Sequence, residues 1–229
     1  MISATTFSRG YSSFWQEVAP WLNSYVVNIN NIELTRIGHP IDSLDKPEHR
    51  AINNLTSFIQ FMNEKNKDSN PDNFESSLSK SLSVLKHLSK ETMESYSFND
   101  FDKTVITNQV KNLHKAYPYA GDFNPVFPGY SLILESEGDI IVPETLVEIK
   151  AADRKVSSGD IKQVLTYVIL NHLSKEPRTL LNIELYNPRH GNQYSIKIDD
   201  LCSNISSLTL TEMCLHFENY IDNISSNSN

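Results

Sequence analysis

Asp139, Glu148 and Lys150 are the residues whose types and spacing could do chemistry in this chain. They fall on two β-rich runs, 138–142 and 146–151, separated by Pro143 and Glu144. Pro143 cannot take the positive φ of a tight primed turn, so the connection is expected to be a longer loop across 142–145. Side chains alternate along a strand. That places Glu148 and Lys150 on one face and Val147, Ile149 and Ala151 on the other. On the first run Asp139 and Ile141 face away from Ile140 and Val142. A hairpin centred between Pro143 and Glu144 sets Asp139 opposite Glu148, with Cβ atoms about 4.5–5.5 Å apart. Two carboxylates so placed repel. A bound divalent cation reverses the sign of that interaction, because hard cations such as Mg²⁺ take oxygen ligands. A lysine one pleat beyond Glu148 then reaches a phosphate oxygen or an attacking water. Taken singly the pieces are ordinary, since a Glu-x-Lys is usually a solvated strand face and a strand-end Asp a turn former.

The elements around the hairpin must position these groups. Residues 118–128 are rich in Pro, Gly and aromatics and lead into an expected strand at 130–134. After the hairpin, Ser157 or Ser158 can cap a helix over 160–172, whose buried stripe is Ile161, Val164, Leu165, Val168 and Ile169. Gln163 and Tyr167 lie four apart on a different face of that helix, as structural or as functional side chains. A strand over 178–186 and another over 193–198 form a hairpin. The turn between them presents Arg189 and His190, either as solvated loop charges or as nucleic-acid contacts.

Asp139, then Glu148-Ile149-Lys150, then Gln163-x-x-x-Tyr167 on a following helix, resembles the PD-(D/E)xK nuclease superfamily, the restriction-endonuclease-like fold. The resemblance covers 130–191, about a quarter of the chain. It departs from the family at Gly138, where a proline often precedes the aspartate. The likeness implies an α/β fold, a mixed sheet flanked by helices, with metal-dependent hydrolysis of phosphodiester bonds, DNA being the expected substrate. Asp139 and Glu148 would hold Mg²⁺, for which Mn²⁺ can substitute, and the backbone carbonyl of Ile149 would add a ligand. Lys150 would orient the nucleophile or stabilise transition-state oxygens, and Gln163 and Tyr167 would position the scissile strand or Lys150. Restriction or antiphage defence is the context the family suggests. The rival class is an inactive restriction-fold subunit serving assembly or recognition; a third is the same metal site acting on RNA or a nucleotide.

Residues 1–117 read as an α-helical N-terminal elaboration, with 118–229 as the nuclease-like core and a closing helix over 208–224. Phe14, Trp15, Val18, Trp21, Leu22 and Tyr25 mark helix across 11–26, interrupted or restarted near Pro20. Further helices are expected over 48–63, 74–93 and 101–116, with a mobile polar loop at 63–73. Residues 28–34 are ambiguous. In Ile37-Gly-His-Pro-Ile-Asp42, Asp42 resembles an acidic residue preceding the core in some restriction-like families; alternatively Asp42 or Ser43 caps a helix after a turn at Gly38 and Pro40.

The 10 Phe, 10 Tyr and 2 Trp allow a real core. No signal-peptide pattern or run of membrane-spanning length is present, so a cytoplasmic chain without membrane contact is expected. Cys202 and Cys214 read as free buried thiols rather than a disulfide, and with His216 they still lack a fourth zinc ligand. The 20 Lys and Arg against 28 Asp and Glu give a formal net charge of −8. Phosphate binding rests on cations, and near the site these are few: Lys150, Arg154, Lys155, Lys162, Arg189 and His190. Weak DNA binding follows, with a homodimer or a partner protein supplying the grip.

Overall fold

The computed structural model describes residues 1–66, 73–85, 96–119 and 121–227. It is mixed α/β, with a six-stranded, mostly antiparallel sheet between helices. The strands are β1 (Thr35–Arg36), β2 (Asp122–Phe123), β3 (Val126–Phe127), β4 (Ser136–Glu137), β5 (Ile140–Val142), β6 (Thr145–Ile149), β7 (Asn182–Asn187) and β8 (Asn192–Lys197). The large sheet runs β1-β8-β7-β6-β5-β2, and β3 and β4 form a separate pair. Only β6 and β7 run parallel within the large sheet.

The helices are α1 (Ala4–Arg9), α2 (Ser12–Val18), α3 (Leu22–Asn28), α4 (Arg50–Lys65), α5 (Asn73–Val84), α6 (Asp100–Ala116), α7 (Ser158–His172), α8 (Ile198–Ile205) and α9 (Leu210–Asn227). The sheet separates two cores. Leu146, Ile183 and Leu185 pack with Val164, Leu165 and Val168 of α7 and with the N- and C-terminal helices. Ile140, Val147 and Tyr186 pack with Phe58 and Phe61 of α4 and Leu113 of α6. The alternation of β6 therefore buries an apolar residue on each side, each worth about 1.5–3 kcal/mol.

α7 crosses from β6 to the parallel β7, and its start is fixed by a capping box. The Ser157 side chain takes the backbone N–H at Asp160, and the Asp160 carboxylate accepts the Ser157 N–H. α6 begins with the same device at Asn99 and Asp102.

Several expectations need correction. The β5–β6 connection is a two-residue turn, not a longer loop: Val142 pairs with Thr145. Proline needs only its own negative φ at the first turn position, and Glu144 takes the positive φ of 57° at the next. Residues 130–134 form no strand. Tyr130 and Ile133 close a tight turn on each other, with N–H···O distances of 3.0 and 2.8 Å, and Ser131 has φ 52°. The backbone there bonds to Ile2 instead, and β2 takes the place beside β5. The ambiguous segment after α3 is a π-helical turn, Ile29–Glu33, followed by the edge strand β1. Asp42 and Ser43 cap no helix; α4 is preceded by a 3-10 turn, Pro47–His49. Gly38 is needed for a close crossing with Gly191, where an added Cβ would stand 2.6 Å from the Asn112 side chain. β7 begins later than expected, and α8 was not anticipated. Part of the helix expected over 74–93 and of the loop over 63–73 lies outside the described residues. Cys202 and Cys214 are free and buried. No helix among the described residues is long and apolar enough to cross a membrane.

Candidate metal centre

The hairpin pairs Ile140 with Val147, Ile141 with Leu146 and Val142 with Thr145, and one further step of that register brings Asp139 near Glu148. Asp139 sits just before β5, half-buried, and one of its oxygens accepts the Ile149 N–H at 2.6 Å. Glu148 is 5% exposed. Its Oε1 accepts the Lys150 Nζ at 2.8 Å and the Gln163 Nε2 at 3.2 Å. Its Oε2 is buried without a hydrogen-bond partner. Lys150 also donates to the Gln163 Oε1 at 2.9 Å, and its backbone N–H donates to the Tyr186 carbonyl at 2.8 Å.

Burial holds the Asp139 carboxyl well above the usual carboxylate range, and the neighbouring Glu148 charge pushes it further, against the Ile149 N–H and Lys150. Burial likewise raises Glu148; Lys150 opposes this, and Asp160 adds to it. Each carboxyl is thus harder to ionise than in water, a penalty that a proton or a cation would relieve.

Gln163 and Tyr167 do share a face of α7, and the Gln163 Nε2 donates to the Tyr167 hydroxyl at 2.7 Å. That face is not open to solvent. Tyr167 is 4% exposed and stacks on Phe127, with ring centroids 5.4 Å apart. Burial, then Glu148, raises the phenol pKa, so the hydroxyl stays protonated. Tyr167 therefore holds Gln163, which holds Lys150 and Glu148 together.

A cleft of about 330 Å³ opens beside Asp139, Ile149 and Lys150, walled by Ala51, Asn54 and Phe58 of α4. The donors present suit Mg²⁺, a hard cation that keeps several waters and is bound through one or two carboxylates. The unpartnered Oε2 of Glu148, a residue that does not itself line this cleft, is the observation that favours such an ion. Among the described residues no group of three or more His, Cys, Asp or Glu side chains gathers as a metal site. The groups that would hold such an ion are Asp139, Glu148 and backbone such as that of Ile149.

The expected basic rim is thinner than the sequence suggested. Arg154 forks onto Asp160, with N–O distances of 2.6 and 2.7 Å. Burial would raise the Asp160 pKa, but Arg154 and Ser157 hold it below the usual range. Arg189 is neither a solvated charge nor placed for a phosphate: it is 2% exposed and paired with Asp45 at 2.6 Å. Lys162 lies over the Trp15 ring, 5.7 Å from the centroid. Lys155 is exposed and His190 half-buried.

Sequence reasoning missed Asn54, which donates to the Ala151 carbonyl and accepts from the Gln109 Nε2 at 3.1 Å, tying α4 to the end of β6. Asn53 and Asn54 are poor helix formers in the middle of an expected helix, and that mismatch was the available signal. Compared with family models, curated proteins and solved structures, the chain matches none.

Proposed function

We propose that the chain is a metal-dependent nuclease of the PD-(D/E)xK type, with the restriction-endonuclease-like arrangement of its β5–β6 hairpin, α7 and β7. The observation that carries this reading is the neighbouring pair Asp139 and Glu148, one step beyond the last paired residues of the hairpin, with one buried glutamate oxygen unpartnered and Lys150 a pleat away. When bound, Mg²⁺ lowers the pKa of a water and screens charge building on the phosphate. Lys150 presents its ammonium at the cleft and meets a non-bridging phosphate oxygen or orients the attacking water. Gln163, braced by Tyr167, keeps that ammonium in place.

DNA is the substrate proposed. The net charge of −8 opposes binding to a polyanion, and the pairing of Arg154 and Arg189 within the protein weakens the rim further. A second copy of the chain or a partner protein therefore supplies the grip. That paucity of free cations also favours a second reading, an inactive subunit that keeps the fold for assembly.

Incubation of the purified chain with plasmid and single-stranded DNA in Mg²⁺ or Mn²⁺ tests the proposal. Cleavage should appear, and Asp139→Asn and Glu148→Gln should each abolish it. A folded chain that binds Mn²⁺ yet cuts no nucleic acid, even with its partner, would favour the inactive-subunit reading.

A further inference from the structure

A second concavity, of about 350 Å³, lies outside the carboxyl ends of the parallel strands β6 and β7. In open sheets with parallel strands that is where ligands bind. Lys150 lines both this pocket and the Asp139 cleft, so the two meet at its side chain.

The pocket is built before any ligand arrives. Its lining is largely apolar, with Leu34 half-buried beside the buried Leu185 and Tyr186. The loop after Lys150 forms one wall and is tied down at each step. The Ala152 carbonyl accepts the Asn187 side chain at 2.7 Å, and Asp153 pairs with Arg50. Arg154 pairs with Asp160. The Val156 N–H and carbonyl bond to Asn30 at 3.0 and 2.8 Å.

The charges on the wall are unequal in availability. Both carboxylates, Asp153 and Asp160, are already neutralised by arginines. Lys155 and His190 both line the pocket and form no ion pair among the described residues. A largely apolar lining with a lysine and an imidazole at its edge suits a flat group with polar edges that carries an anion. The volume lies near the lower end of the roughly 300–1,000 Å³ of small-ligand sites. It admits one nucleotide and excludes a base pair.

We propose that this pocket receives a single unpaired nucleotide adjoining the phosphodiester held at Asp139 and Lys150, so that the enzyme acts on single-stranded nucleic acid or on a nucleotide turned out of a duplex. The inference rests on the nuclease reading of the Asp139 cleft. It goes further by giving that site a strandedness. An already unpaired base gives up little stacking on entering the pocket, whereas one turned out of a duplex costs a few kcal/mol, so single-stranded substrate is favoured.

Titration of the ¹⁵N-labelled chain with thymidine 5′-monophosphate tests it, read at the amides of Lys155, Val156, His190 and Asn192. Saturable shifts are expected there. A single-stranded trinucleotide should displace the mononucleotide, and a blunt duplex of the same sequence should not. Leu34→Trp, which fills the pocket, should weaken binding about tenfold. Asn192→Asp, which adds a negative charge at the rim while leaving the apolar lining intact, should weaken it as well. Both variants should keep the Mn²⁺-induced broadening of Asp139 and Ile149. Shifts absent from these amides, binding unchanged in both variants, or a bound mononucleotide that no trinucleotide displaces would each overturn the subsite. Loss of Mn²⁺ broadening in the unaltered chain would instead remove the nuclease reading beneath it.

Discussion

Asp139→Asn exchanges one oxygen for an amide nitrogen and removes one charge from a neighbouring pair. In chelating buffer two terms favour the variant and one opposes it. Removing a like charge across a hairpin relieves about 0.2–1 kcal/mol. The penalty for burying an ionised group, which raises the Asp139 pKa, also disappears. Against these, the Ile149 N–H loses a charged acceptor and keeps a neutral one, a loss of about 1 kcal/mol. The sum is close to zero or slightly stabilising, so the melting temperature should hold or rise by no more than about 4 °C for a chain of 229 residues. Mn²⁺ at a hundred times its dissociation constant should stabilise the unaltered chain by about 2.7 kcal/mol. That corresponds to roughly 5–10 °C, and the variant should gain almost none of it. Differential scanning fluorimetry with and without Mn²⁺ reads both quantities. A variant that melts more than about 8 °C lower without metal, and that Mn²⁺ stabilises as much as it does the unaltered chain, would make Asp139 a structural residue.

The same carboxyls set a pH dependence. Their folded pKa values are raised, so the native state holds protons that the unfolded chain has released. Metal-free stability should therefore be greatest below the unfolded values near 4 and fall as pH rises through the folded ones. Urea unfolding between about pH 5 and pH 8 should show that decline, with a shallower slope in Asp139→Asn. Asp160, whose pKa is lowered, works in the opposite direction: its stabilisation is present above its unfolded pKa and lost as pH falls. Lys150→Met should lose turnover while retaining Mn²⁺ binding by calorimetry; full activity would take Lys150 out of the mechanism. Arg154→Ala removes a half-exposed arginine but leaves the buried Asp160 still bonded by the Ser157 N–H and hydroxyl, so it should cost less, about 1–2 kcal/mol. Arg189→Ala leaves the buried Asp45 without its close cation, holding only the Asn53 amide and a distant Arg50, so its urea midpoint should reflect a loss of about 3–5 kcal/mol. Equal losses for the two arginines would contradict the burial argument.

What could be read from sequence is what a local period fixes. The alternation along β6 sends Leu146, Glu148 and Lys150 to one side and Val147 and Ile149 to the other. The register of Asp139 with Glu148 follows from counting outward from the turn. The four-residue spacing of Gln163 and Tyr167 put both on one helical face, although it did not say that Phe127 would cover it. Distant partners decided the rest. The apolar run at 130–134 looked like a strand, yet Ile2 supplies its backbone partner. Arg189 sits in a turn sequence that looks solvated, but its carboxylate partner Asp45 is 144 positions earlier. Asp45 in turn bonds to Asn53, and Asn53 to Asp102, which also meets His49. Nothing in the spacing of those five residues announces a buried polar network, because each lies on a different element or turn.

That network bears on how the N-terminal region relates to the site. Ile140, Val147 and Tyr186 belong to the core, and α4 and α6 provide much of their cover. Exposing three such side chains forfeits roughly 1.5–3 kcal/mol each, comparable in sum with the roughly 5–15 kcal/mol that keeps a domain folded. The polar contacts point the same way. The Tyr186 hydroxyl donates to the Asn112 carbonyl on α6 at 2.9 Å, and the Tyr186 carbonyl receives the Lys150 N–H. Asn54 on α4 holds the Ala151 carbonyl one residue further along. The backbone that carries Lys150 is thus fixed from the helices of the first half of the chain, while its side chain is fixed from α7. Helices that read as an elaboration by sequence are, in the folded chain, half of the mounting for Lys150.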